Sequence, residues 1–330
     1  MPMATEIFAK IILDSISPED KRLTTIHLRY PRFIHAELMT HRVFSRNARS
    51  SRAVPVKTLL AEMASSAVVP LHWGKNQKGM QADYEINELI ATTDIPVVLD
   101  AEYVTREQAW DCGVRVAIGL ATAFDKAGYH KQLINRILEP YSHIDVLVSA
   151  TEWANFHWLR DHKDAEPHIR MLAQEVRGAM HESIPLLLPP GGWHLPYITE
   201  QDRREVMLRI DPTNPDSVAD QDITPVLQKI SAARCARISY RPFNGEASID
   251  AEIMRYEDLI TSVPMHASPV EHQATPDSRS QYQLAKCTND SDAIKWQIVK
   301  EGMEWDHPGL HGNFVGWIQL RKTLPDEVIW

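Results

Sequence analysis

Between residues 42 and 52 the chain reads RVFSRNARSSR, four arginines with no acid among them. Arg42, Arg46, Arg49 and Arg52 are spaced four, three and three, which on a helix lines them along one side. Ser45, Asn47, Ser50 and Ser51 lie between them. Planar charged forks interleaved with short neutral donors are what phosphate oxygens require. A solvated basic face uses the same letters, and the local lack of acid shifts the reading towards an anion site. The segment also runs against the rest of the molecule. Residues 1–60 carry a net +5, whereas the whole 330-residue chain carries −9.

An acidic whole argues against a nucleic-acid partner, whose footprint would be basic. A small phosphorylated ligand needs only local positive charge. No stretch approaches the about 20 apolar residues of a membrane span, and the first residues show no cleavable apolar core. Cys112, Cys235 and Cys287 are far apart and form no C-x-x-C pair, so neither a disulfide framework nor a thiolate zinc site is expected. The expectation is a cytoplasmic globular protein with no metal, no nucleic-acid partner and no membrane association.

Along the chain, 7–13 and 23–29 read as strands and PRFIHAELMTHRVF as a loose helix. Residues 100–128 give a long helix with an apolar stripe, HKQLINRILEP a shorter one, and 144–150 a buried run. ATEWANFHWLR and AEPHIRMLAQEVRGAM read as two more helices. LLLPPGGWHLPY (186–197) stacks prolines and glycines and reads as irregular. Residues 198–222 are polar and acidic, a linker in this reading. ITPVLQKISAARCARISY then reads as a helix running into a short strand, IDAEIMRYEDLI as an amphipathic helix, and MHASPVEHQATP as a loop. The fold class is α/β of the α+β type, helix-rich with a small sheet.

Three segments carry a family likeness. PRFIHAELMTHRVFSRNARSSR resembles the signature of the flavin-dependent thymidylate synthases, R-H-R-x(7)-S, with Thr40-His41-Arg42 and Ser50 on its positions. NFHWLR with Ala165 and Ile169 resembles the family's N-F-x-x-L-R run and following helix, and Arg136 falls on an upstream nucleotide-binding arginine. AARCARISY (232–240) and MHASPVEH (265–272) resemble elements that in the family precede the signature, so the chain resembles a permuted member. On that basis 1–197 is the signature and helical part, 223–276 a displaced N-terminal-like part, and 277–330 an extension.

The resemblance implies FAD as cofactor, methylenetetrahydrofolate and NADPH as co-substrates, and reductive methylation of dUMP in a homotetramer. It places Arg160 against the pyrimidine as the catalytic residue, and His41, Arg42, Ser45, Asn155, Ser239, His266 and Ser268 around flavin and folate. Glu37, Thr40, Ser50, Ser51, Arg52 and Arg136 fall to the nucleotide, with Arg160. The departures are Thr40 for arginine, Ala48 for glutamate, Glu37 for glutamine and Val270 for phenylalanine. An unreplaced arginine at 40 forfeits about 1.5–3 kcal/mol. Gln319, Arg321 and Lys322 in the tail resemble a displaced Gln-and-Arg pair. These departures keep two other readings open: transfer to dCMP or of a hydroxymethyl group, and an inactive flavin- or nucleotide-binding subunit.

Other clusters read more plainly. His162, Asp164, Glu166 and His168 are solvated charge before they are metal ligands. Glu271 and His272 are adjacent and point to different faces. Trp193 and His194 read as part of a braced surface loop, with pocket lining the alternative, and Trp153, Phe156 and Trp158 read as core, with stacking the alternative. No G-x-G-x-x-G or Walker loop is present.

Overall fold

A computed structural model describes residues 5–95, 101–240, 243, 248–290, 293–325 and 327, with backbone alone at 94, 285–290, 293–297 and 299. The strands are β1 Phe8–Ile16, β2 Arg22–Pro31, β3 Ser45–Ala48, β4 Ile90–Ala91, β5 Tyr103–Val104, β6 His143–Ala150, β7 Leu186–Leu187, β8 Ala274–Pro276, β9 Arg279–Asp290, β10 Ala293–Trp305 and β11 Trp317–Gln319. The helices are α1 His35–Leu38, α2 Val56–Ser66, α3 Arg106–Lys126, α4 Lys131–Leu138, α5 Ala154–Arg160, α6 Pro167–Glu182, α7 Glu200–Ile210, α8 Asp220–Ala236 and α9 Ile249–Ile260.

The central sheet has the order β3-β6-β2-β1-β7, antiparallel except for the β1–β7 pair. Its two faces follow from strand alternation. Ile144, Val146, Val148 and Ala150 of β6 and Ile26, Leu28 and Tyr30 of β2 share one buried cluster with Phe156, Ile169, Leu172 and Val176 of α5 and α6. The intervening residues are mostly polar. Asp145 and Ser149 of β6 and Thr25, His27 and Arg29 of β2 make side-chain hydrogen bonds among themselves and to residues beyond the sheet. Leu147, on this second face, packs with Cys235 at the end of α8 and Ile238. The carboxyl-terminal part of the chain therefore covers the sheet's polar side.

That polar side holds a fully buried chain of hydrogen bonds. Ser15 meets His194 Nδ1 at 2.8 Å, His194 Nε2 meets Thr25 at 2.8 Å, Thr25 meets Ser149 at 2.6 Å, and Ser149 meets His272 Nδ1 at 2.8 Å. Burial drives the His194 and His272 imidazoles down to about 3, with His272 a second contributor at His194. Both rings are neutral.

Two further clusters complete the body. α2, α3 and α4 pack through Leu59, Met63, Val114, Ala121, Ile134 and Leu138. α7, α8 and α9 pack through Val206, Ile223, Leu227, Ile230 and Ile249. Cys112 and Cys235 are buried free thiols, and the Cys287 side chain lies outside the described residues. No described helix is long and apolar enough to cross a membrane.

Several expectations change. Residues 198–222 are not a bare linker: Thr199 and Asp202 form a capping box that starts α7. Asp202 also pairs with Arg234 of α8 through two 2.6 Å bonds. The stretch after α8 is a 3-10 turn, Arg237–Ser239, rather than a strand. The 186–197 loop does contribute one regular piece, β7.

Candidate functional site

The arginine-rich segment is not a helix. PRFIHAELM makes one 3-10 turn and the four-residue α1, and SRNA then pairs with β6 as edge strand β3, Ser45 opposite Ser149 and Ala48 opposite Val146. Strand alternation separates the arginines that a helix would have aligned. Arg46 donates to the carbonyls of Met39 and His41 at 3.2 and 3.0 Å. Arg49 is 5% exposed and pairs with Glu62 at 2.7 Å and Asp145 at 3.4 Å. The acids missing from the local sequence are thus supplied from elsewhere. Arg42 and Arg52 are exposed, and their side chains have no partner among the described residues.

Asp145 is the hub of that closed group. Its carboxylate accepts from His27 at 3.0 Å and Arg29 at 2.8 Å as well as from Arg49. Burial pushes the carboxyl up, but His27, Arg29 and Arg49 outweigh it and hold it below its ordinary range. A cavity of about 410 Å³ lies here, lined in part by Arg49, Asp145 and Tyr240.

The Ser50–Arg52 turn is pinned on three sides. Ser50 N donates to Ser239 O at 2.8 Å, and the Ser50 hydroxyl accepts from Arg52 N at 3.3 Å. Asn135, fully buried on α4, donates to Ser51 O at 2.7 Å and Val54 O at 2.9 Å. Lys131 reaches Ala53 O at 2.9 Å. These contacts fix α4, and with it Arg136, against the turn. Arg136 is 61% exposed and lies 3.6 Å from Glu139. Asn135 went unnoticed in the sequence, although an amide between Ile134 and the apolar side of a short helix is a signal.

Arg160 closes α5 and draws three signature residues together. Its Nε donates to His41 Nε2 at 3.0 Å, Nη1 to the Glu37 carboxylate at 3.3 Å, and Nη2 to Glu37 O at 3.3 Å and Thr40 Oγ1 at 3.0 Å. A guanidinium has five N–H groups; these four bonds leave one, on Nη1, for a ligand. His41 must be neutral at Nε2 to accept. Burial, then the Arg160 and Arg46 cations, hold its pKa down to about 4. Burial, then Glu166, push the Glu37 carboxyl up against the pull of Arg160. Phe44, Trp153 and Phe156 back the group, with Phe156 edge-on to His41 at 5.1 Å.

The remaining expected residues divide by exposure. Asn155, His266 and Ser268 are exposed, their side chains without partners among the described residues. Ser45 is fully buried and accepts from Asn313 and Gln319 of the tail. Trp153 is core, as read, whereas Trp158 is 75% exposed. His168 and Glu166 form a pair at the start of α6, where Leu71 N donates to His168 Nε2.

A family model described as thymidylate synthase complementing protein matches residues 17–186, slightly more than half of the sequence. The chain belongs to that family. The match takes in β2, the signature, Arg136, β6, α5 and α6; Ser239, His266, Ser268 and the tail lie beyond it. Among solved structures, the chain is similar to a UMP/dUMP methylase, PolB, from Streptomyces cacaoi bound with 5-Br dUMP, at 16% identity over 57% of this chain and 93% of that one, with a TM-score of 0.41. It is also similar to the flavin-dependent thymidylate synthase ThyX from Helicobacter pylori complexed with FAD and dUMP, at 16% identity over 48% of this chain and 67% of that one, with a TM-score of 0.31. No curated protein matches the sequence.

Proposed function

We propose that this family member is a flavin-dependent pyrimidine-nucleotide C5-methyltransferase that converts dUMP to dTMP with FAD, methylenetetrahydrofolate and NADPH, as a homotetramer. The observation that carries the proposal is Arg160: a cation fixed by Glu37, Thr40 and His41 with one N–H to spare. Directed at a pyrimidine carbonyl, that donor stabilises negative charge developing on the ring and so activates C5. Being held in place beforehand, it needs no reorganisation when the charge appears.

The other residues bind and orient. Arg52, with no side-chain partner among the described residues, and Arg136 supply phosphate-binding charge, and the Ser50 hydroxyl supplies a short donor beside them. The donor set also suits a flavin dinucleotide. Arg42 matches its anionic phosphates, and Asn155, His266 and Ser268 offer neutral donors, all exposed. FAD, when bound, supplies the redox chemistry of the methyl transfer. Ser50 acts as a phosphate donor, since no histidine base is hydrogen-bonded to it among the described residues. Met39, Val43, Trp158 and Leu159 are exposed around the Arg160 group, an apolar rim suited to burial against another subunit.

One observation favours dCMP as a second substrate. Glu37 replaces the family glutamine beside Arg160, and a carboxylate accepts well from the exocyclic amine of cytosine. The test supplies FAD, methylenetetrahydrofolate and NADPH with [5-³H]dUMP or [5-³H]dCMP. Tritium release from dUMP and a product with the mass of dTMP are expected. Flavin-loaded protein that releases tritium from neither nucleotide would sink the proposal; a hydroxymethyl product would redirect it.

A further inference from the structure

We propose that residues 311–321, outside the family match, form a strap that positions the flavin side of the site, with Gln319 its central positioning residue; this rests on the flavin-binding reading above. Gln319 is 2% exposed, and its Nε2 donates to Ser45 Oγ at 3.1 Å and to Glu271 O at 2.9 Å. One amide therefore joins the first residue of β3, in the signature, to the Ser268–Glu271 turn, although more than 200 residues separate the two in sequence. The permuted order provides no short covalent connection between them, and Gln319 provides a hydrogen-bonded one.

Neighbouring contacts make the strap a fixed structure. Trp317 and Phe314 are buried with Leu23 and Ala274, β11 pairs with β8, and Leu320 N donates to Gln273 O at 2.9 Å. Asn313 adds a second donor to Ser45 Oγ at 3.3 Å. With its oxygen accepting twice, Ser45 directs its own O–H elsewhere. Gly312 has φ +59°, and a Cβ there would lie 2.2 Å from Gln319 Oε1, so a residue without a side chain leaves room for the amide. Arg321 does not replace the arginine missing at position 40. Its guanidinium is engaged by the carboxylates of Glu271 and Glu327, so it acts on the site only by holding the Ser268–Glu271 turn.

The test compares full-length wild type with Gln319→Met, which keeps length and apolar volume but loses both N–H bonds, and with Asn313→Ala at an exposed position. FAD and dUMP dissociation constants are measured separately, with thermal melts. Loss of two hydrogen bonds should weaken FAD about tenfold or more in Gln319→Met, and loss of one about threefold in Asn313→Ala. The dUMP constant should change less than about twofold in both, since Arg52 and Arg136 are untouched. Unchanged FAD affinity in the variants, or equal loss of both ligands, overturns the positioning role. Wild type that takes up no FAD overturns the flavin reading itself, and the strap's role with it.

Discussion

Two arginines, Arg49 buried within the signature and Arg160 half-buried at the end of α5, stand in different company. Arg49 meets two carboxylates, Glu62 and Asp145, and Asp145 is shared with Arg29 and His27. Arg160 meets one carboxylate, two neutral acceptors of Thr40 and His41, and a carbonyl. The first group is balanced and serves the fold. The second pairs its one cation with one acid and keeps an uncommitted donor. What separates the structural Arg49 from Arg160, proposed as catalytic, is the number of acids that surround each.

Removing the hub acid should cost most. Asp145→Ala takes the shared acceptor from His27, Arg29 and Arg49 on the buried sheet face and leaves Glu6 and Glu62 as the arginines' acids, and urea denaturation should show a loss of about 3 kcal/mol. A smaller loss than in Glu37→Ala would erase the distinction. Arg160→Ala should do the converse: turnover falls about a hundred- to a thousandfold, while stability changes by less than about 1 kcal/mol because its ion pair is partly exposed. Retained turnover removes the catalytic assignment.

Acid separates the groups further. A folded-state pKa near 3 for His194 and His272, against about 6.5 when unfolded, means that the unfolded chain takes up protons first. Stability should fall as pH drops below about 6.5 and level off near 3, at about 1.4 kcal/mol per pH unit for each histidine. His41, neutral down to about 4, should let the Arg160 group hold nucleotide through the upper part of that window. Melting temperature and dUMP affinity measured together from pH 7 to 5 check this; affinity lost in step with stability would contradict it. The smallest effect belongs to Arg52→Ala, which should raise the KM for nucleotide by the equivalent of about 1.5–3 kcal/mol and leave kcat nearly unchanged.

The motifs made part of this legible. Phe156, Leu159 and Arg160 announce a helix with an apolar side and a terminal cation, and α5 has that form. The Arg49 group was not legible, because its partner Asp145 lies 96 positions away inside a run that reads as buried strand. SRNA has little strand propensity and does not announce β3; it is a strand through backbone pairing with β6. α7 was hidden by its polarity, although Thr199 and Asp202 spell its capping box. The link from Gln319 to Ser45 depends on tertiary packing, which no local pattern encodes.

That link spans 274 positions. Contacts so distant in sequence form only after much of the chain entropy has been lost, which makes them late events in folding. The sheet and its helices can assemble from nearer partners, so a compact protein should appear before a competent one. Recovery of flavin binding on refolding should therefore lag behind recovery of secondary structure.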